Sequence, residues 1–354
     1  MMRARRWLAA FGPAVFHCRF IITIVVSLRS SLGSGSAGVR PQKISTQMIV
    51  YQGGDWWRAL RHFQTSAVIR LLLKRVALVG LYGSAIAVVS LDFHTLNVRI
   101  GREYLSILGI LLSLLLVFRT NTAYDRYYEG RGVWGQLVSH CRGLAMEMNA
   151  LLPREAKSSR RYFAALISNF PIALEGSLRN KVRFDKMEAT PDIIERLQKA
   201  ESVCSTIVAV LMESVEQLRQ VQIFDPIHLI NIKQHYLGMM TVNGTCERIK
   251  STPIPYSYSF FIKCYITIFI MVMPLVLVDS CGWWMVPITM IGAYAMLGLE
   301  MIGNEIENPF GYDSNDLPIT QLSNKIRVSV HDLLGVELPA EKKALASVPY
   351  SVVH

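Results

Sequence analysis

The chain has no C-x-x-C pair: its six cysteines, Cys18, Cys141, Cys204, Cys246, Cys264 and Cys281, stand far apart. That excludes a zinc ribbon or a disulfide framework and leaves thiols that are buried or face lipid. No H-E-x-x-H, G-x-S-x-G, P-loop or dinucleotide fingerprint occurs, so the common zinc-hydrolase, acyl-transfer and nucleotide chemistries have no footing. His228 and His235 are spaced to share a helix face but have no carboxylate beside them, which argues against a metal pair. Alternating strand patterns, internal repeats and low-complexity tracts are also missing, which predicts an all-α chain. Acidic residues are absent from 1–47, where seven basic ones stand (Arg3, Arg5, Arg6, Arg19, Arg29, Arg40, Lys43). The net charge of +11 is therefore largely local, and the remainder holds 30 basic against 26 acidic residues. With no basic stripe interleaved with aromatics, a nucleic-acid partner is not expected.

Apolar residues, by contrast, are plentiful. They make up 51% of the chain against 18% charged, and mean hydropathy is +0.31. Four runs predict membrane helices: Val76 to Leu91, Leu105 to Phe118, Ser259 to Val278 (interrupted by Lys263), and Trp283 to Leu299, which ends at Glu300. Three fall short of the roughly 20 residues that a lone span needs. Short spans with charged ends suit a bundle or an oligomer around an aqueous path. Lys263 and Glu300 are expected to snorkel or to pair with each other. The stretch 119–257 carries 18 Lys/Arg while the linkers 92–104 and 279–282 carry two and none, so the middle and both ends should face the cytoplasm or its equivalent. Within that middle, Cys204, Val208, Leu211, Val215 and Leu218 predict one face of an amphipathic helix. Pro153, Pro171, Pro191 and Pro226 should divide it into about four helices. Asn243-Gly244-Thr245 has the form of a glycosylation sequon but falls on the inner side, and reads as a turn.

The second run passes without Gly or Pro into a dense polar and aromatic block, Arg119 to Gly132 followed by Val133-Trp134-Gly135. One helix should carry both, leaving the membrane for water. Ser106, Ile110, Leu114 and Phe118 form one i, i+4 ridge on it. Such a ridge packs against another helix or, repeated around an axis, makes an apolar collar that gates by dewetting. The electropositive edge of Phe118 would then favour anions without a fixed charge.

Three segments, Phe118 to Gly135, Thr252-Pro253-Ile254-Pro255-Tyr256-Ser257-Tyr258 and Glu307-Asn308-Pro309-Phe310-Gly311, make residues 48–335 resemble the bestrophin family of ion channels, most closely its bacterial and chloroplast branch. The resemblance implies a homopentamer of four-helix membrane subunits with a helical cytosolic region and one central pore. Matched through Arg126-Tyr127-Tyr128, the family's hydrophobic neck falls on Ile110, Leu114 and Phe118, and its cytosolic aperture on Ile254. In animal members the loop after Asn-Pro-Phe-Gly helps to bind calcium. Asp313 and Asp316 match side-chain ligands there and Asn308 a backbone ligand, but the dense acidic cluster is missing. An Asx-rich turn leading into the helix from Thr320-Gln321-Leu322-Ser323, with Ile326, Val328, Leu333 and Leu334 on its apolar side, is the other reading. Asp125 and Arg126 are expected in a polar network between subunits.

The expected organisation is an extension at 1–47, two membrane helices at 48–120, a helical cytosolic region at 121–257, two further membrane helices at 258–304 and a cytosolic motif and tail at 305–354. The extension has three open readings: a signal or transit leader, an extra anchor, or an early start codon ahead of Met48. The expected function is passive conduction of chloride or another monovalent anion, with no chemistry and no required cofactor. A cation-selective channel, and more distantly a scaffold or membrane enzyme, are the alternatives. The lipid bilayer is a plasma or inner membrane, or a chloroplast membrane if the extension is a transit leader.

Overall fold

The computed structural model describes residues 49–51, 67–92, 101–313, 315–339 and 351–353. The extension at 1–47 lies outside them. Apart from one three-residue parallel pairing, β1 (Ile49–Tyr51) with β2 (Ser351–Val353), regular structure among the described residues is helical.

Helix α1 is Ala67–Ala87, continued by a π-helical turn at Val88–Asp92. Helix α2, Arg102–Leu151, is unbroken over 50 residues. At 1.5 Å per residue it is about 75 Å long, more than twice the roughly 30 Å of a hydrocarbon core. It runs straight across the expected boundary at residue 120, as the lack of Gly and Pro at the junction predicts. Then come α3 (Lys157–Leu178), α4 (Pro191–Gln198), α5 (Val203–Gln220) and α6 (Pro226–Ser251). Pro191 and Pro226 stand at first-turn positions, where a missing N–H costs nothing. Pro171 does not divide helices; it lies inside α3, buried, with its carbonyl accepting from Ser323 Oγ at 3.1 Å. Asn243-Gly244-Thr245 is not a turn either. It sits within α6, where buried Asn243 donates to Glu247 at 2.9 Å.

Helix α7 (Tyr256–Cys281) meets α8 (Met285–Glu307) through a tight 3-10 turn, Gly282–Trp284, with Gly282 at φ 53°. Among the described residues, three continuous helical stretches are long and apolar enough to cross a membrane, Ile69–Leu91, Glu103–Leu151 and Tyr256–Glu307. Since the turn divides the last one, four apolar helical segments result. Helix α9, Ile319–Leu333, closes the fold.

Two layers of core follow. Among the apolar segments, Leu112 and Leu116 of α2 pack with Ile262, Ile266 and Phe269 of α7 and Ala293 of α8. In the polar half, a larger core gathers Trp134, Leu137, Leu144 and Met148 of α2 with α3, α5, α6 and α9. The predicted face of α5 is there: Cys204, Val208, Leu211 and Val215 are buried and Leu218 packs beside them.

Candidate functional site

Helix α2 has two apolar sides. Leu112 and Leu116 are buried; Ile110, Leu114 and Phe118 are 69%, 51% and 55% exposed. At 100° per residue the exposed ridge lies on the side away from the core. It belongs to a wider apolar face, with Ile107, Leu111 and Val117 also exposed, that the protomer leaves uncovered.

A buried charge network begins one residue further on. Arg119, 1% exposed, lies 3.3 Å from Glu300 and 3.9 Å from Glu307, and also donates to Asn304 Oδ1. Lys263 reaches Glu300 from the other side at 3.6 Å, which is the pairing expected of those two residues. Two cations and two carboxylates are thus paired just below Phe118.

The three sequence segments converge here. Arg126 Nε donates to the Glu307 carbonyl at 3.1 Å and its Nη atoms to the carbonyls of Ile249 (2.6 Å) and Thr252. Thus Arg126 joins the carbonyl ends of α6 and α8 within the protomer, while Asp125 is exposed. Glu307 in turn accepts from the backbone N–H of Ile254 at 3.0 Å. Gly130 packs against Phe310 and Pro309, where an added Cβ would come within 3.3 Å of both rings.

Ile254 itself is only 8% exposed. Its backbone N–H is held by Glu307, which fixes the segment against the end of α8. Pro253, Pro255, Tyr256 and Ser257 are the outward-facing residues of that stretch.

The loop after α8 is a self-bonded turn. Asp316 Oδ2 accepts from the Asp313 N–H at 2.7 Å, and the Asp316 N–H donates back to the Asp313 carbonyl at 3.1 Å. Asp316 is buried, with Oδ1 lacking a hydrogen-bond partner; Asp313 and Asn308 are exposed. Burial pushes the Asp316 pKa up to about 7, against the lowering pull of the Asp313 N–H. Arg179 occupies the loop's carbonyls, donating to Gly311 O at 3.1 Å and Phe310 O at 3.3 Å while lying 4.3 Å over the Tyr312 ring. Calcium needs six to eight oxygens. Here one carboxylate oxygen is unpartnered, the other is taken, and a guanidinium holds the carbonyls. Among the described residues no three His, Cys, Asp or Glu side chains are placed to hold a metal. These residues do not fit a calcium site, and the Asx-turn reading of the loop is the one the geometry favours. Sequence reasoning missed Arg179, which nothing ties to the loop until α3 packs beside it.

The family model for bacterial and fungal bestrophins matches residues 48–332. The chain belongs to the bestrophin family. A voltage-dependent anion channel-forming protein of Nostoc sp. is 33% identical over 293 residues, covering 79% of this chain and 92% of its own. The voltage-dependent anion channel-forming protein YneE of Escherichia coli K12 is 29% identical over 297 residues, covering 83% and 95%. A bestrophin homolog from Klebsiella pneumoniae shares the fold with a TM-score of 0.71 at 24% identity, over 75% of this chain and 99% of that one. In this bestrophin, the three segments that carry the likeness are the ones Arg126 and Gly130 hold together.

Proposed function

We propose that the chain forms an anion channel in which Ile110, Leu114 and Phe118 of several copies line a hydrophobic neck. One observation carries the reading: an apolar row on α2, turned away from the protomer's core, ends at a network of paired charges. Copies of such a row around an axis make a narrow passage that conducts only while wide enough to stay wet. Its only polarity is the ring edge of Phe118, which is electropositive and favours anions. The names of the Nostoc and Escherichia coli relatives support the same ion class. Bestrophin membership supports a homopentamer. Conduction is downhill, with no covalent step, no enzyme chemistry and no calcium step.

In this reading the four apolar segments cross a plasma or inner membrane, or a plastid one, with the basic polar half on the cytoplasmic side. The family resemblance puts a second narrowing, the cytosolic aperture, at Ile254, within the otherwise exposed stretch Pro253–Ser257.

The deciding experiment is the reversal potential of the purified full-length protein in a planar bilayer under a KCl gradient. A shift to the chloride equilibrium potential is expected. A shift toward potassium would leave a cation-selective channel on the same neck, and absence of current would leave a scaffold.

A further inference from the structure

Two histidines far apart in sequence meet between α2 and α6. His140 is on α2 and His235 on α6; their ring centroids are 5.9 Å apart, with the planes at 66°. Each ring presses its nitrogen-bearing edge into a notch that a glycine leaves in the opposite helix. A Cβ on Gly143 would collide with Cε1, Nε2 and Nδ1 of His235, and one on Gly238 with the same atoms of His140. The backbone met there is helical on both sides, with its N–H and C=O groups already paired along the helix. Both histidines are half-buried, so protons from water can reach them.

Such a notch takes a neutral imidazole better than a charged one. Nδ1 of His235 is buried with no hydrogen-bond partner. As a lone pair it forfeits one acceptor bond. Once protonated it becomes a buried N–H donor with nothing to donate to, on a ring that carries a full charge. A second penalty comes from across the seam, because a protonated His140 stands one ring away. Glu147, on α2, is the opposing influence and favours the charged form. His140 and Glu147 are the ionisable groups that act on His235; α3 and α5, which also pack against α6, add none. Burial comes first and His140 second, and together they outweigh Glu147 and hold His235 below its ordinary value of 6.5. The folded protein therefore binds this proton less readily than the unfolded chain does. The stability involved is complete above about pH 6.5 and is lost as pH falls from there through the lowered folded value.

We propose that the His140–His235 seam is a proton-sensitive latch between the neck-bearing helix α2 and α6: neutral imidazoles close it, and acid on the cytoplasmic side drives the rings from their notches and loosens the packing. The far end of α6 leads into the segment whose carbonyls Arg126 holds. Movement of α6 against α2 therefore reaches the junction below Phe118. The effect on current rests on the channel reading above; the effect on stability does not.

The test is the thermal midpoint of the full-length protein in detergent between about pH 7.5 and about pH 5.5. It is read as the difference between the parent and His235→Phe, which refills the notch without a nitrogen. The difference is needed because Asp316 works in the opposite sense over this range. The parent should lose midpoint relative to the variant as pH falls. His140→Phe, made on the opposite helix and leaving His235 in place, should lessen that loss by removing the like charge. In a planar bilayer, acid on the cytoplasmic side should change the parent's current and leave that of His235→Phe unaltered. A difference in midpoint that stays constant with pH, or a parent that gains on His235→Phe in acid, would overturn the latch. Equal current responses in the two proteins, beside a midpoint difference that follows pH, would overturn its coupling to conduction. A protein that carries no current would sink the channel reading alone, since the midpoint decides the latch without it.

Discussion

At the scale of the residue, the junction below Phe118 depends on the guanidinium groups of Arg119 and Arg126. Arg126 holds three carbonyls from two helix ends at once. Its fork geometry is what permits this, and an ammonium cannot reproduce it. Arg126→Ala should cost at least about 2 kcal/mol, with Arg126→Lys recovering little; thermal unfolding in detergent reads both. Glu300 neutralises Arg119 and Lys263. Glu300→Gln leaves Arg119 buried without its nearest carboxylate, a loss of about 3–5 kcal/mol. A Glu300→Gln protein as stable as its parent would show that Glu307 suffices. The Asp316 carboxyl titrates at about 7 in the fold against 3.8 when free. The folded state therefore holds the proton more tightly, and the stability this group contributes is greatest below pH 3.8. It is lost as pH rises through about 7. Asp316→Asn should flatten that part of the stability profile, measured as midpoint against pH.

At the scale of the element, α2 is the organising piece. Its upper third has one face in the core and one left bare, and its lower two thirds feed the larger core through Trp134, Leu137, Leu144 and Met148. Those two roles are separable. Replacing Ile110, Leu114 and Phe118 together by Ala removes side chains from the uncovered side only, so folding should survive while single-channel conductance rises. Unchanged conductance would remove the three residues from the conduction path. Much of α2 was legible: an apolar run entering a polar block without Gly or Pro is one helix, and i, i+4 spacing names its ridge. Which face is uncovered was not legible, because Leu112 and Leu116 are as apolar as Ile110 and Leu114. The reverse case is Pro171, whose identity suggests a helix end. Burial on all sides of α3 outweighs the one missing hydrogen bond.

At the scale of the whole molecule, the protomer leaves an apolar ridge on α2 and Trp283 and Trp284 at the α7–α8 turn exposed, the tryptophans in the place where a membrane–water interface would take them. The native mass in detergent, corrected for the micelle, should be close to five times that of the 39.9 kDa chain. A monomer by light scattering would rule out the shared neck. The sequence by itself determined the helical class, the four apolar segments, the position of the ridge and the family, because hydropathy, periodicity and short motifs are local properties of the chain. Only the tertiary structure decided that Ile254 is buried within the protomer, that Arg126 bridges the ends of α6 and α8, and that Arg179 lies on the loop after α8. Each of these depends on which distant segment packs alongside, and a side chain's partners across helices leave no trace in its neighbours along the chain.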